Sequence, residues 1–211
     1  MKNRPILISL SIFFLLVSFI LLGWNSFNAP FERDEGHYAY GAWIMTRGLT
    51  PYINTFEQKP PMIFYPYLLS LLINPNANWP PRLIASLSVL FTLLLLWFIV
   101  KKEYCERAAW LTVWLGLPML MFPHLTLSAN TERFTILPLV GLLALYVYRR
   151  NSASLWPIFW GAALGAVAVL FKQIAAPAVL YLLLVWILRG KEQGKAILAV
   201  TVSTAATLVL F

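Results

Sequence analysis

The chain has 211 residues, of which 60% are hydrophobic and only 11% charged, and it carries a formal net charge of +8. Soluble domains are about a quarter charged, so a water-soluble globule is excluded, as is intrinsic disorder, which requires low hydrophobicity. One cysteine, Cys105, excludes a disulfide scaffold and a cysteine-rich metal site. The positive excess therefore has to be read against a membrane, not against nucleic acid.

Residues 5–24 (PILISLSIFFLLVSFILLGW) are uncharged. They have the length of about 20 residues that crosses a hydrocarbon core. The run exceeds a signal-peptide core and no small-residue cleavage site follows, so it reads as an uncleaved first span. Residues 62–73 (MIFYPYLLSLLI) are too short to cross and contain a proline, and they read as interfacial or re-entrant. Further spans are expected at 83–100, 109–129, 134–148, 155–171, 174–188 and 196–211. The fold class is thus all-α: a polytopic integral membrane protein of about seven transmembrane helices, forming one module over 1–211. Pro118, Pro123, Pro138 and Pro177 are candidate kinks.

With 62–73 kept on one side, Lys2/Arg4, Lys101/Lys102/Arg107, Arg149/Arg150 and Arg189/Lys191/Lys195 share a face whose net charge is +7. Basic short loops stay inside, which makes this face and the N-terminus cytoplasmic. The opposite side carries Arg33, Arg47, Lys59, Arg82, Arg133 and Lys172 against Glu32, Asp34, Glu35, Glu57 and Glu132, a net charge of +1.

Residues 25–81 form one long outward loop, rich in aromatics and charge. Within it, Asp34 to Thr46 is expected to be helical, with Asp34 as N-cap and Tyr38, Trp43 and Ile44 on an interfacial face. Lys59-Pro60-Pro61 opens a second short helix, since proline is tolerated in a first turn. Pro80-Pro81 closes the loop. The final run ends at Phe211 without polar flanks, so the sequence reads as the front part of a longer chain.

The outward charges cluster as Asp34-Glu35-Gly36-His37, Glu57-Gln58-Lys59 and Arg82. Cations at one surface can hold a lipid-borne phosphate while a carboxylate takes a proton from a nucleophile. Each residue alone has a plainer role: Asp34 as a cap, Glu35 and His37 as solvated groups, Lys59 and Arg82 as snorkelling cations. Lys172 and the pair Glu132-Arg133 read as structural residues of turns. The joint occurrence within one loop favours the site.

The segment FERDEGHYAYGAWIMTRGLTPYINTFEQKPPMIFYPYLL, followed by Arg82 in WPPRLIASLSVLFTLL, resembles the first external loop of GT-C membrane glycosyltransferases. The branch is the one with protein O-mannosyltransferases and the lipid A aminoarabinose transferase. The resemblance implies an inverting enzyme of the bacterial plasma membrane. It would take a sugar from a polyprenyl-phosphate-linked donor at the outer face and pass it to a lipid, glycan or protein acceptor. Asp34 matches the catalytic base and Glu35 the second acid of the pair. Lys59 and Arg82 match positions that hold the carrier phosphate, and His37 fits the histidine of the mannosyltransferase pattern on the donor side. A divalent metal stays open: Gln58 stands where the aminoarabinose transferase has a metal-associated glutamate, leaving Glu57 as the candidate one residue away. Two other classes fit less well: a transporter or flippase for lipid-linked sugars, and a non-catalytic lipid-binding membrane subunit. The charges crowd at one interface and not at the midplane, where a transport pathway would need them.

Overall fold

The computed structural model describes residues 12–13, 17, 26–121, 128–152, 154–189 and 193–209. The expected first span at 5–24 lies almost wholly outside the described residues, as does Pro123. Regular structure among the described residues is entirely helical. In chain order come α1 (Arg33–Met45), a 3₁₀ turn (Pro61–Ile63) leading into α2 (Phe64–Ile73), α3 (Trp79–Glu103), α4 (Glu106–Met121), α5 (Thr131–Arg149) and α6 (Trp156–Phe171). A second 3₁₀ turn (Gln173–Ala175) leads into α7 (Ala176–Arg189), and α8 (Gln193–Val209) follows.

The prolines start helices or are absorbed by them. Pro80 and Pro81 occupy the first turn of α3, where the missing N–H costs nothing, while α4 and α5 run through Pro118 and Pro138. Near their starts, α3 and α5 are joined by the Ser88 hydroxyl, which donates to the Arg133 carbonyl at 2.7 Å. Near their ends they are joined by Arg150 on the Glu103 carboxylate at 3.1 and 3.2 Å. The two helices therefore run parallel, with the α3–α4 hairpin turning at Tyr104 and Cys105. Lys102 donates to the Val147 carbonyl (3.0 Å) and Arg189 to the Tyr146 hydroxyl (2.7 Å), so cations from three helix termini gather at one end of the bundle. Arg82, Glu132 and Lys172 lie toward the other.

Two described helices, Trp79–Glu103 and Thr131–Arg149, are long and apolar enough to cross a membrane. Trp156–Phe171, Gln173–Arg189 and Gln193–Val209 are apolar but shorter. At about 1.5 Å per residue they fall short of a core about 30 Å thick. Leu87, Leu90, Phe91, Leu94 and Phe98 form an exposed stripe on α3, and Leu111, Leu115 and Met119 another on α4. Contiguous apolar faces of this kind mark contact with lipid or a partner rather than water.

Small residues set the helix spacing. Gly161 and Gly165 face Leu142, Trp186 and Val179, where a Cβ would collide, so α6 sits tightly between α5 and α7. In the long loop, the ring of Phe64 lies against Gly41 and occupies the space a side chain there would need. This contact seats α2 on α1 and turns Tyr38 and Ala42 inward.

Two expectations are corrected here. Asp34 is not the N-cap: the helix starts one residue earlier, at Arg33, and Glu32 caps it with extended backbone while the Glu35 carboxylate accepts the Glu32 N–H at 3.1 Å. Tyr38 and Ile44 do not line an interfacial face. They are 1% and 0% exposed, because the seating of Phe64 on Gly41 directs that side of α1 into the core. Tyr40 and Trp43, stacked at 5.9 Å, form the exposed aromatic face instead.

Gly41→Ala is expected to lower the thermal midpoint in detergent, at a cost of about 1–3 kcal/mol for overpacking. Gly36→Ala, which meets only one atom at 4.0 Å, should leave the midpoint unchanged or raise it, because alanine favours the helix. Equal effects of the two substitutions would contradict the seating of Phe64.

Candidate functional site

The site is built on a buried ion pair. Arg82, in the first turns of α3, and Glu35, in the first turn of α1, have side chains only 4% and 1% exposed. Arg82 Nε donates to Glu35 Oε1 at 3.0 Å and Nη2 to Oε2 at 2.6 Å. Its remaining N–H groups reach the carbonyls of Ser26, Ala29 (2.8 Å) and Pro30 (2.9 Å). All five guanidinium N–H groups are thus used. Glu35 is equally saturated, since Oε1 also accepts the Ala129 N–H at 2.7 Å and Oε2 the Glu32 N–H. The Tyr67 hydroxyl donates to the Ala129 carbonyl at 3.1 Å, so the segment entering α5 is tied to both α1 and α2.

Around this anchor lies a polar rim drawn from four distant stretches of chain. From α1 come Asp34, whose side chain is 41% exposed and among the described residues pairs with its neighbour Arg33 (3.4 Å), and His37, whose Nε2 lies 3.4 Å from the Thr55 hydroxyl. From the loop come Glu57 and Lys59. The Glu57 Oε1 accepts the backbone N–H groups of Gln58 (2.7 Å) and Lys59 (2.9 Å). The start of α5 supplies Glu132 and Asn130, with the Asn130 amide donating to the Glu32 carboxylate. The end of α6 supplies Lys172, which pairs with Glu132, and Gln173, whose amide reaches the Gln58 carbonyl at 3.4 Å. Tyr38 sits beneath the rim. Burial, reinforced by the charges of Asp34, Glu57, Glu132 and Glu32, pushes its phenol well above the usual range.

The residues singled out from sequence thus divide. Asp34, His37, Glu57 and Lys59 share the accessible rim. Glu35 and Arg82 are beneath it, bonded to each other, and Arg82 has no N–H left to offer a phosphate. Glu57 caps its own loop, and among the described residues no three His, Cys, Asp or Glu side chains gather as metal ligands. Glu132 and Lys172, expected to be structural residues of turns, complete the rim together with Asn130, on which the sequence reading is silent. The charge sorting already placed Glu132 and Lys172 on the same side as the loop, which was the available signal.

The family model described as dolichyl-phosphate-mannose-protein mannosyltransferase matches residues 58–211. That stretch includes Lys59, Arg82, Glu132 and Lys172, while Asp34, Glu35, His37 and Glu57 precede it. An uncharacterized protein of Aquifex aeolicus (strain VF5) is 32% identical over 154 residues, covering 70% of this chain. The chain spans 35% of that relative's length. No solved structure matches.

Removing one partner of the anchor leaves the other charge buried and unpaired, at a cost of about 3–5 kcal/mol. Glu35→Gln and Arg82→Met are each expected to lower the thermal midpoint sharply, and the double substitution to cost less than the sum of the two. Strict additivity in tryptophan-monitored melting would contradict the pair.

Proposed function

The chain belongs to the dolichyl-phosphate-mannose-protein mannosyltransferase family, and on that premise we propose that it transfers a sugar from a polyprenyl-phosphate-linked donor to an acceptor hydroxyl at the outer face of the membrane, with inversion. The family is membrane-associated and its chemistry is glycosyl transfer. The observation that carries the reading to these residues is the rim: a part-exposed carboxylate and two lysines converge there from separate stretches of chain. Asp34 accepts the proton of the acceptor hydroxyl as its oxygen attacks the anomeric carbon. The bond from that carbon to the phosphate oxygen breaks on the opposite face, so the configuration inverts. Lys59, with Lys172 on the far side of the Gln58–Gln173 contact, compensates the charge left on the carrier phosphate.

Glu35 and Arg82 act through position. They fix the first turn of α1, and with it Asp34, against the starts of α3 and α5. His37 lies on the donor side of Asp34, one helical turn on. In this reading α4 and the three shorter apolar helices also cross, together with their flanking residues, and with α3, α5 and the segment 5–24 they give seven spans. The cation-rich end then faces the cytoplasm and the rim the outside of the plasma membrane. The acceptor is a lipid, glycan or protein.

Asp34→Asn in the full-length protein removes the base and keeps its shape. Transfer from dolichyl-phosphate-mannose is expected to fall at least about 100-fold, with the yield of folded protein unchanged because Asp34 takes no part in the buried anchor. Transfer within twofold of the unsubstituted enzyme would overturn the assignment.

A further inference from the structure

Lys59 is held unusually firmly for a residue in a loop. Its N–H is bonded to Glu57 at 2.9 Å. The following Pro60 confines it to extended conformations, and its carbonyl accepts the Tyr52 hydroxyl at 2.5 Å. Yet its ammonium, on a half-buried side chain, has no hydrogen bond or ion pair among the described residues. A backbone tied at every point beneath a cation without a partner is the arrangement of a group kept ready for a ligand.

Tyr52 is in turn held at a conformational cost. It has φ +72°, a left-handed value that is rare for an aromatic residue. It follows Pro51 in a turn closed by the Ile53 N–H on the Thr50 carbonyl (3.3 Å), with the Asn54 side chain accepting the Thr50 N–H (3.0 Å). Turns of this form with a positive φ after proline take glycine there. Nothing in the turn itself calls for a tyrosine. What the side chain gains lies across the loop: its ring meets the edge of Phe64 at 5.9 Å and 72°, and its hydroxyl reaches Lys59. Phe64 is the residue that locks α2 onto Gly41, so Tyr52 braces Lys59 against the most rigid part of the loop. Burial, then the charge of Glu57, pushes the Tyr52 phenol up to about 12. It remains a donor throughout the physiological range.

We propose that Tyr52 is a positioning residue: a strut, kept in a strained turn, that fixes the height of Lys59 so that its ammonium meets the phosphate of the lipid carrier. This rests on the reading of Lys59 as a phosphate ligand.

The test uses the full-length protein in detergent, with farnesyl phosphate as the probe and farnesol as the uncharged control. Tyr52→Phe keeps the ring and the turn and removes only the hydroxyl. It is expected to weaken farnesyl phosphate binding about three- to tenfold, leaving farnesol binding and the thermal midpoint unchanged. Tyr52→Gly relieves the turn, so it should melt no lower than the unsubstituted protein and still bind farnesyl phosphate more weakly. Equal weakening of farnesol and farnesyl phosphate by Tyr52→Phe would make the hydroxyl merely structural and overturn the proposal. So would unchanged farnesyl phosphate binding in Tyr52→Phe when Lys59→Ala weakens it. If Lys59→Ala itself leaves farnesyl phosphate affinity unchanged, or the unsubstituted protein shows no saturable binding, the phosphate role of Lys59 falls and the strut with it.

Discussion

The ion pair of Glu35 and Arg82 fixes the part of the rim that α1 and the start of α5 supply. A buried charge pair does not stabilise a protein by default, because taking two ions out of water costs more than their attraction returns unless the surrounding bonds are complete. Here they are complete on both sides. Four donors meet the four lone-pair positions of the carboxylate, and five acceptors meet the five N–H groups of the guanidinium. The ring of Phe31 adds a cation–π contact at 5.6 Å. Segments 26–35, 82 and 129, far apart in the chain, are thereby joined at one point. The apolar seat of Phe64 on Gly41 holds α1 against α2, and the ion pair fixes its first turn against the starts of α3 and α5.

Rigidity at that point gives the rim its chemistry. Asp34 is adjacent in sequence to the most immobilised side chain of the loop, yet its own carboxylate stays accessible. Asn130 follows Ala129, whose N–H and C=O are both bonded, and Glu132 begins the next turn. The partners on the other side, Lys59 and Lys172, are held by different means: one by a braced loop, the other by its pair with Glu132. The anchor orders backbone, and the backbone presents polar side chains outward, so the residues most deeply fixed are not the accessible ones.

How much of this was legible in the sequence varies by element. Helical content, the two short helices of the long loop and the segregation of charge to two ends all follow from apolar run lengths, proline positions and the placement of cations, and the structure has them. The cap of α1 lies two residues before the expected one: Asp34 is the better cap on local preference, and Glu32 takes the position because the Glu35 carboxylate folds back onto its N–H. The inward face of α1 was misjudged because Gly41 looks like a neutral helix residue until Phe64 is placed against it. The sequence marks Arg82 as a phosphate-holding cation and Glu35 as the supporting acid of the Asp-Glu pair, without showing that the two bond to each other. A linear sequence does not show that five acceptors from residues 26–35 would close around one guanidinium. Tyr52 carried no signal, since its value lies in a backbone angle and a contact seven residues away.

The loop bearing Lys59 meets the end of α6 beside Lys172, where the Gln173 amide donates to the Gln58 carbonyl at 3.4 Å. Cysteines at Gln58 and Gln173, in a Cys105→Ser background, test it directly in native membranes with a short thiol-specific crosslinker. Efficient crosslinking of this pair is expected, with none for a pair at Gln58 and Lys101 at the opposite end of the bundle. Failure of the 58–173 pair to react, with both thiols accessible to a monofunctional reagent, would contradict the account.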